Sequence, residues 1–524
     1  MVVPDRAVHE EAGQGHLAPV GRRGPEPRAS RPGAAALLAV LVIGVGVALR
    51  FWTGSHLWLD EALTVNIARL PVGRIPDALR HDGSPPLYYL ALHAWMRIFG
   101  SGDVAVRALS GLFSVGTLAA LPFAARASGA RRGWTAVLIA AASPFAVRYA
   151  TEARMYSLLM LLVTLGVVAL ARLLRSPSVS SAVAVGLLTG LALLTHYWSL
   201  FLAGVVAACL LVRWLRSREG AAWWGLSALV AGSLLFVPWI PVFLFQLRHT
   251  GTPWASPATI GAPLSAVVEW AGGYRDSAQL LALVLLGLAG LGLFGAAVDH
   301  RRIELDLRTR PAGRGLALAV FGTLAVALAV CAVTGSAFVQ RYTSVVFPLF
   351  VLLAAAGAET LLMPRVRHGV LGVAVVLGLV GCLPNIGSGR TQAGVVARAV
   401  NAVASPGDVV AFCPDQLGPS VSRLLRPGLV QLTFPLGAGP RRVDWADYAA
   451  RNAAGDPAGF AEGLAARAGV HDIWFVWSGG YRTLGSQCGD LRMLLQAERP
   501  EAETVVTGSG RYEEHMGLVR YQAS

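Results

Sequence analysis

The sequence predicts an all-α polytopic membrane bundle followed by a small C-terminal α/β domain, and three observations lead there. Hydrophobic residues make up 55% of the 524 and charged residues only 14%, a balance outside that of soluble domains. Apolar runs of about 20 residues recur between residues 34 and 384, each long enough to cross a hydrocarbon core about 30 Å thick. Beyond residue 385, short apolar runs alternate with helical periodicity, the pattern of an α/β domain.

Residues 1–33 are polar, rich in Pro, Gly and Arg and without an apolar stripe, so a disordered cytoplasmic tail is expected. The first apolar run, 34–52, lacks a cleavage site and is followed by many others, which makes it a retained anchor. Further transmembrane helices are expected at 105–125, 133–148, 155–174, 179–195, 198–215, 222–246, 278–298, 314–335, 342–362 and 368–384, about eleven in all. The segment 87–99 covers only about 13 residues and carries His93 and Arg97, so it reads as an interfacial helix.

All 44 basic residues are Arg. With 87–99 on the surface, Arg126, Arg131, Arg132, Arg172, Arg175, Arg213, Arg216 and Arg218 fall on the side of the tail. Arg301, Arg302, Arg308, Arg310, Arg365 and Arg367 join them, and the positive-inside bias makes that side cytoplasmic. The 53–104 loop, the turns at 149–154 and His196, the 247–277 loop, the 336–341 turn and all of 385–524 then face outward. Loops beside the membrane lipids account for the +14 net charge, and no nucleic-acid partner is read from it.

The transmembrane domain is therefore placed at 34–384 and an extracytoplasmic α/β domain at 385–524. Strands are expected at 408–413 and 472–477, and helices at 393–404, 458–468 and 489–498. The five cysteines show no metal-ligand spacing. Cys413 and Cys488 are the only thiols of the outer domain, where a disulfide and two free thiols are both open.

Candidate site residues gather on the outward face. Asp60 and Glu61 lie just past the first span, where a carboxylate is costly unless paired or at work. Partial burial raises the basicity of such a group, so it suits acceptance of a proton from a substrate hydroxyl. His81 and Asp82 open a Gly-Ser-Pro-Pro turn, which fits either a site or simple turn chemistry. Arg148, Glu152, Arg154 and Tyr156 interrupt two apolar runs against the orientation bias, as an anion-binding pocket would. Arg341 and Tyr342 open a later span, where Arg341 either snorkels to headgroups or meets a phosphate. His196 stands at another outer turn beside Tyr197 and Trp198, which fits a site residue or an aromatic belt.

The set Trp58-Leu59-Asp60-Glu61, Ser84-Pro85-Pro86-Leu87-Tyr88-Tyr89, Val106-Arg107-Ala108-Leu109-Ser110, Glu152-Ala153-Arg154-Met155-Tyr156, Thr195-His196-Tyr197 and Arg341-Tyr342 resembles family 39 of the membrane-embedded C-type glycosyltransferases. That branch holds protein O-mannosyltransferases and aminoarabinose transferases acting on lipid A, and the resemblance covers about residues 34–362. It implies a polyprenyl-phosphate sugar donor, with mannose one candidate sugar, and an acceptor modified outside the cytoplasm. It implies that a carboxylate of the first outer loop, here Asp60, is the catalytic base of an inverting transfer, with Glu152 helping to build the site. Metal dependence varies across the superfamily, so a divalent ion stays open as a cofactor. The acceptor, whether glycan, lipid or protein, stays open too, because residues 385–524 match no motif of the family. The alternative function is a membrane transporter or lipid-linked sugar flippase. Such proteins usually place charges at the bilayer midplane or show repeated halves, neither of which is evident here.

Overall fold

The computed structural model describes residues 33–523 apart from residues 131, 253 and 254, so the expected tail lies, but for Gly33, outside the described residues. Helices stand at every expected apolar run. They begin with α1 (Ala34–Leu49), then α2 (Leu59–Ala68), α3 (Ile75–Arg80) and α4 (Leu87–Phe99) in the first long loop. Next come α5 (Asp103–Ala127), α6 (Trp134–Ala141), α7 (Pro144–Ala150), α8 (Tyr156–Arg175), α9 (Val179–Leu193) and α10 (Ser199–Ser217). The chain continues through α11 (Gly220–Ser233), α12 (Ile240–His249), α13 (Ala262–Trp270) and α14 (Asp276–Phe294). After a short antiparallel hairpin of β1 (Gly295–Ala297) and β2 (Ile303–Leu305) come α15 (Pro311–Ala317), α16 (Thr323–Thr334), α17 (Phe347–Thr360) and α18 (Pro364–Gly387).

Among the described residues, seven helical runs are long and apolar enough to cross a membrane. They are α5, α8, α10, the joined α11–α12, α14, the run Gly313–Thr334, and α18. Helices α1, α9 and α17 are apolar but shorter. The run expected as one span at 133–148 instead breaks between α6 and α7. Pro144 brings no N–H to continue α6, and the Ser143 hydroxyl caps α7 by accepting from the Ala146 N–H at 3.2 Å. Helix α4 has 13 residues. At 1.5 Å per residue that is roughly 20 Å, short of the hydrocarbon thickness.

Residues 393–521 form the α/β unit. Its five-stranded sheet takes β3 (Val409–Cys413), β4 (Val430–Thr433), β5 (Ile473–Trp477), β6 (Ala502–Val506) and β7 (Gly517–Tyr521) in the order β4-β3-β5-β7-β6. β3 runs parallel to β4 and β5, while β7 is antiparallel to β5 and β6. Both faces are covered, and the period-2 alternation of β3 shows how. Val409, Ala411 and Cys413 join a core with Leu464 and Leu491. Val410 and Phe412 join the opposite core with Val396 and Val400 of α19 (Ala393–Val403). Cys413 is disulfide-bonded to Cys488.

The α/β unit is seated on the first long loop rather than hung beside it. Val443, Trp445 and Tyr448 pack with Leu59, Leu63, Ile75 and Leu79. The Trp445 N–H donates to the His81 carbonyl at 2.9 Å, and the Asn66 side chain donates to the Arg441 carbonyl at 2.7 Å. This strap fixes α2, the helix that carries the two adjacent carboxylates.

Candidate active site

Asp60 and Glu61 fall in the first turn of α2, where the helix dipole favours negative charge. Neighbours in a helix do not share a face, so the two carboxylates diverge. Glu61 points inward and is fully buried. Its oxygens accept from Arg107 of α5 at 2.6 and 2.5 Å, and one also accepts the Ala153 N–H at 2.9 Å. Burial alone would raise its carboxyl. The charge and hydrogen bonds of Arg107, helped by Arg390, pull it below the ordinary range instead.

Around this pair stands a buried charge layer. Arg390 lies 3.8 Å from Glu61 and 3.9 Å from Glu152, and donates to the Thr151 carbonyl at 2.7 Å. Arg148 lies 3.4 Å from Glu152 and donates to Glu513 of the α/β unit at 2.7 Å. Burial pushes the Glu152 carboxyl up, against the pull of Arg148 and Arg390, and the Glu61 and Asp60 charges add to the rise. Glu61 of α2, through the Ala153 N–H, and Asn385 of α18 with Arg390, through Thr151, thus hold the 151–155 turn in place.

Asp60 turns the other way. Its side chain keeps 13% exposure, and Oδ2 lies 3.4 Å from the Arg341 guanidinium. Arg154 reaches the same space, donating to the Thr64 hydroxyl at 2.9 Å and to the Tyr89 hydroxyl at 3.2 Å. Tyr89 in turn donates to Asp82 at 2.6 Å. Burial raises the Asp82 carboxyl, with the Arg154 charge working against it. Tyr156, His196 and Tyr342 close the cluster as an aromatic wall. The His196 ring centroid is 4.9 Å from Tyr342 and 6.0 Å from Tyr156. Burial, with Arg154 and Arg341 nearby, pushes His196 down to about 3, so it is neutral at physiological pH. Its Nδ1 lies 3.1 Å from the Trp198 N–H and accepts from it, which leaves the other ring nitrogen to donate.

Of the residues singled out from the sequence, Asp60, Arg154, Tyr156, His196, Arg341 and Tyr342 share one space. Glu61, Arg148 and Glu152 form the layer behind it, and Asp82 braces it through Tyr89. His81 does not join them; its ring meets Asp444 of the α/β unit at 2.9 Å and serves the interface. Sequence reasoning missed Arg390, Glu513 and Glu514. Arg390 is a lone arginine in a linker and carries no pattern, whereas the adjacent acids Glu513-Glu514 echo Asp60-Glu61 and were the one available signal.

Beneath the aromatic wall lies a cavity of about 930 Å³ between α8, α9 and α10. It runs from Ala192 and Ser199, which flank the His196 turn, past Leu162, Leu188 and Val206 to Arg175, Arg213 and Arg216. The lining is mostly apolar, with Thr189 and Ser199 toward one end and arginines at the other, a shape and polarity that suit a lipid chain. Among the described residues no three His, Cys, Asp or Glu side chains converge as a metal site.

Residues 83–241 match the family described as dolichyl-phosphate-mannose-protein mannosyltransferase. No curated protein sequence matches the chain. Among solved structures, the fold is similar to that of ArnT from Cupriavidus metallidurans in the apo state. The TM-score is 0.63 at 16% identity, over 93% of this chain and 98% of that one. The same protein bound to undecaprenyl phosphate gives 0.60 at 15% identity, over 94% and 99%. The arabinofuranosyltransferase AftD from Mycobacteria gives 0.52 at 15% identity, over 93% of this chain but 40% of that one. Matched segment and fold agree: residues 83–241 carry the pattern of a mannosyltransferase family, and the chain has the fold of ArnT, with seven helical runs among the described residues long and apolar enough to cross a membrane. The family resemblance read from the sequence and the mostly helical fold with a C-terminal sheet domain both stand.

Proposed function

We propose that the protein moves a sugar from a polyprenyl-phosphate donor to an acceptor hydroxyl on the extracytoplasmic side, with inversion and with Asp60 as general base. The observation that carries this reading is the meeting of three features. A partly exposed carboxylate, Asp60, faces Arg341 and Arg154, and a largely apolar cavity of lipid dimensions reaches Ala192 and Ser199 on either side of the His196 turn. The donor's polyprenyl chain lies in that cavity and its phosphate meets Arg341 and Arg154. The ArnT structure with undecaprenyl phosphate lends support by its similar fold.

In the reaction, the acceptor O–H gives its proton to Asp60 while its oxygen bonds to the anomeric carbon. The bond from that carbon to the phosphate oxygen breaks on the opposite face, and polyprenyl phosphate leaves with its new charge facing arginine. Charge-stabilising donors of this kind contribute about 2.7–4 kcal/mol each. Glu61, Arg107, Arg390, Glu152 and Arg148 hold the turn and helix that present the reacting groups, so Glu61 is a positioning residue rather than a second base. His196 donates from its free ring nitrogen to the sugar or phosphate.

Sidedness follows the arginine distribution, with the tail cytoplasmic and the α/β unit outside. The test uses purified protein in detergent with a panel of labelled polyprenyl-phosphate sugars, mannose and aminoarabinose included. A glycosyltransferase moves label from the lipid to water-soluble or acceptor-bound product without any membrane gradient. A transporter or flippase releases none in detergent, and that result would remove this reading.

A further inference from the structure

Two acids of the α/β unit, Glu513 and Glu514, reach the membrane domain at the tip of the 507–516 loop. Glu513 pairs with Arg148. Glu514 goes deeper and is only 5% exposed. Its backbone is clamped from both sides: its N–H donates to the Arg390 carbonyl at 2.9 Å, and its carbonyl accepts the Gln392 N–H at 3.0 Å. Gln392 also ties the loop at Thr507 and Met516. The loop therefore holds the Glu514 carboxyl at the N-terminal end of α2, beside the Leu59 N–H and next to Asp60.

One carboxyl oxygen, Oε1, accepts from the Ser420 hydroxyl at 3.0 Å. The other, Oε2, is buried and has no hydrogen-bond partner among the described residues. A buried polar atom left in this state is costly unless something fills it. The groups that face it are Asp60 and Leu59 of α2, Thr391, Ser420, and Tyr481 from the loop after β5. The hydroxyls beside it, Thr391 and Ser420, are neutral, unlike the arginine paired with Glu61. Its free oxygen is thus set for a neutral donor rather than a counter-ion.

Resting on the reaction proposed above, we infer that Glu514 belongs to the acceptor site. Its free oxygen takes a second hydrogen bond from the acceptor beside the hydroxyl that Asp60 deprotonates, so the acceptor is a sugar that presents two neighbouring hydroxyls. Burial pushes the Glu514 carboxyl up to about 8, against the Thr391 and Ser420 hydroxyls, with the Asp60 charge adding to the rise. Near pH 7 it is therefore neutral and both gives and takes hydrogen bonds, as a diol requires. An isolated serine or threonine hydroxyl offers one donor and leaves Oε2 empty. An anionic acceptor would bring its charge against Asp60.

The experiment compares two minimal acceptors, cyclohexanol and trans-1,2-cyclohexanediol. It uses purified full-length protein with labelled polyprenyl-phosphate mannose or the donor that the panel above selects. The readout is the ratio of sugar transferred to diol over mono-alcohol, each scored against transfer to water in the same sample. The wild type should favour the diol about tenfold, where the count of hydroxyls alone gives a factor of about two. That tenfold corresponds to about 1.4 kcal/mol. In Glu514→Ala the ratio should fall to about two. Glu514→Gln, which keeps the shape and one acceptor, should retain an intermediate preference. A wild-type ratio near two, or a tenfold ratio that survives in Glu514→Ala, overturns this inference and leaves the transferase reading intact. Absence of any Asp60-dependent sugar release removes the transferase reading and this inference with it.

Discussion

Removing Arg107 separates the supporting charge layer from the reacting one. Its guanidinium gives two hydrogen bonds to Glu61 and one each to the carbonyls of Ser55 and His56, at 2.5 and 3.0 Å. In Arg107→Ala, Glu61 keeps the Ala153 N–H and the more distant Arg390 but loses its bidentate partner in a fully buried position. Breaking a buried pair in this way costs about 3–5 kcal/mol, mostly because the remaining charge is stranded. Replacing both partners with apolar residues of similar size, Glu61→Leu with Arg107→Met, removes the stranded charge. It should recover much of that loss, though the Ser55 carbonyl loses its Arg107 partner and the His56 carbonyl keeps only the Ser55 hydroxyl. Unfolding in detergent, followed by tryptophan fluorescence, compares the parent, Arg107→Ala and the double variant. A single Arg107→Ala variant within about 0.5 kcal/mol of the parent would refute the reasoning. So would a double variant no more stable than the single one.

Arg341→Ala should weaken donor use, raising donor KM and slowing transfer by roughly a hundredfold or more, as for loss of one charge-stabilising donor. Steady-state kinetics against donor concentration check it, and an unchanged donor response would take Arg341 out of the site. Glu514 makes the seating of the α/β unit depend on pH. Its folded value, raised to about 8, means the folded protein holds the proton more tightly than the unfolded chain. The stability it contributes is complete below the ordinary carboxylate range and is lost as pH rises through about 8. Melting curves from pH 5 to 9 should fall for the wild type and be flatter for Glu514→Gln; parallel curves would contradict it. Reducing Cys413–Cys488 opens a loop with a sequence separation of 75 and should destabilise the α/β unit by about 4 kcal/mol on the chain-entropy account. Limited proteolysis with and without reductant reads this out, and equal cleavage rates would argue against it.

Much of the bundle was legible because lipid imposes a simple rule: about 20 apolar residues per crossing, with arginines gathered on one side. Val409–Cys413 and Ile473–Trp477 were legible for a related reason, since strands covered on both faces read as unbroken apolar runs. The break at Ser143-Pro144 is not legible, because Pro is tolerated inside membrane helices and the flanking runs are equally apolar. In the site, Asp60, Arg154 and Arg341 stood out as charges where the membrane disfavours them. What the pattern could not give is direction. That Glu61 turns inward to Arg107 while Asp60 faces Arg341 depends on how α2 is rotated, and the 441–448 strap sets that rotation from far along the chain. Arg390 and Glu514 were hidden for the same reason: each acts through a fold-back that no local spacing records.

The most direct measurement is sugar release from labelled polyprenyl-phosphate donor by Asp60→Asn beside the wild type, with donor binding followed in the same samples. Asn keeps the shape and cannot take the proton, so turnover should fall by about 10²–10⁴ while the donor still binds. Turnover within tenfold of the wild type would contradict a base at Asp60 and the reaction centre built around it.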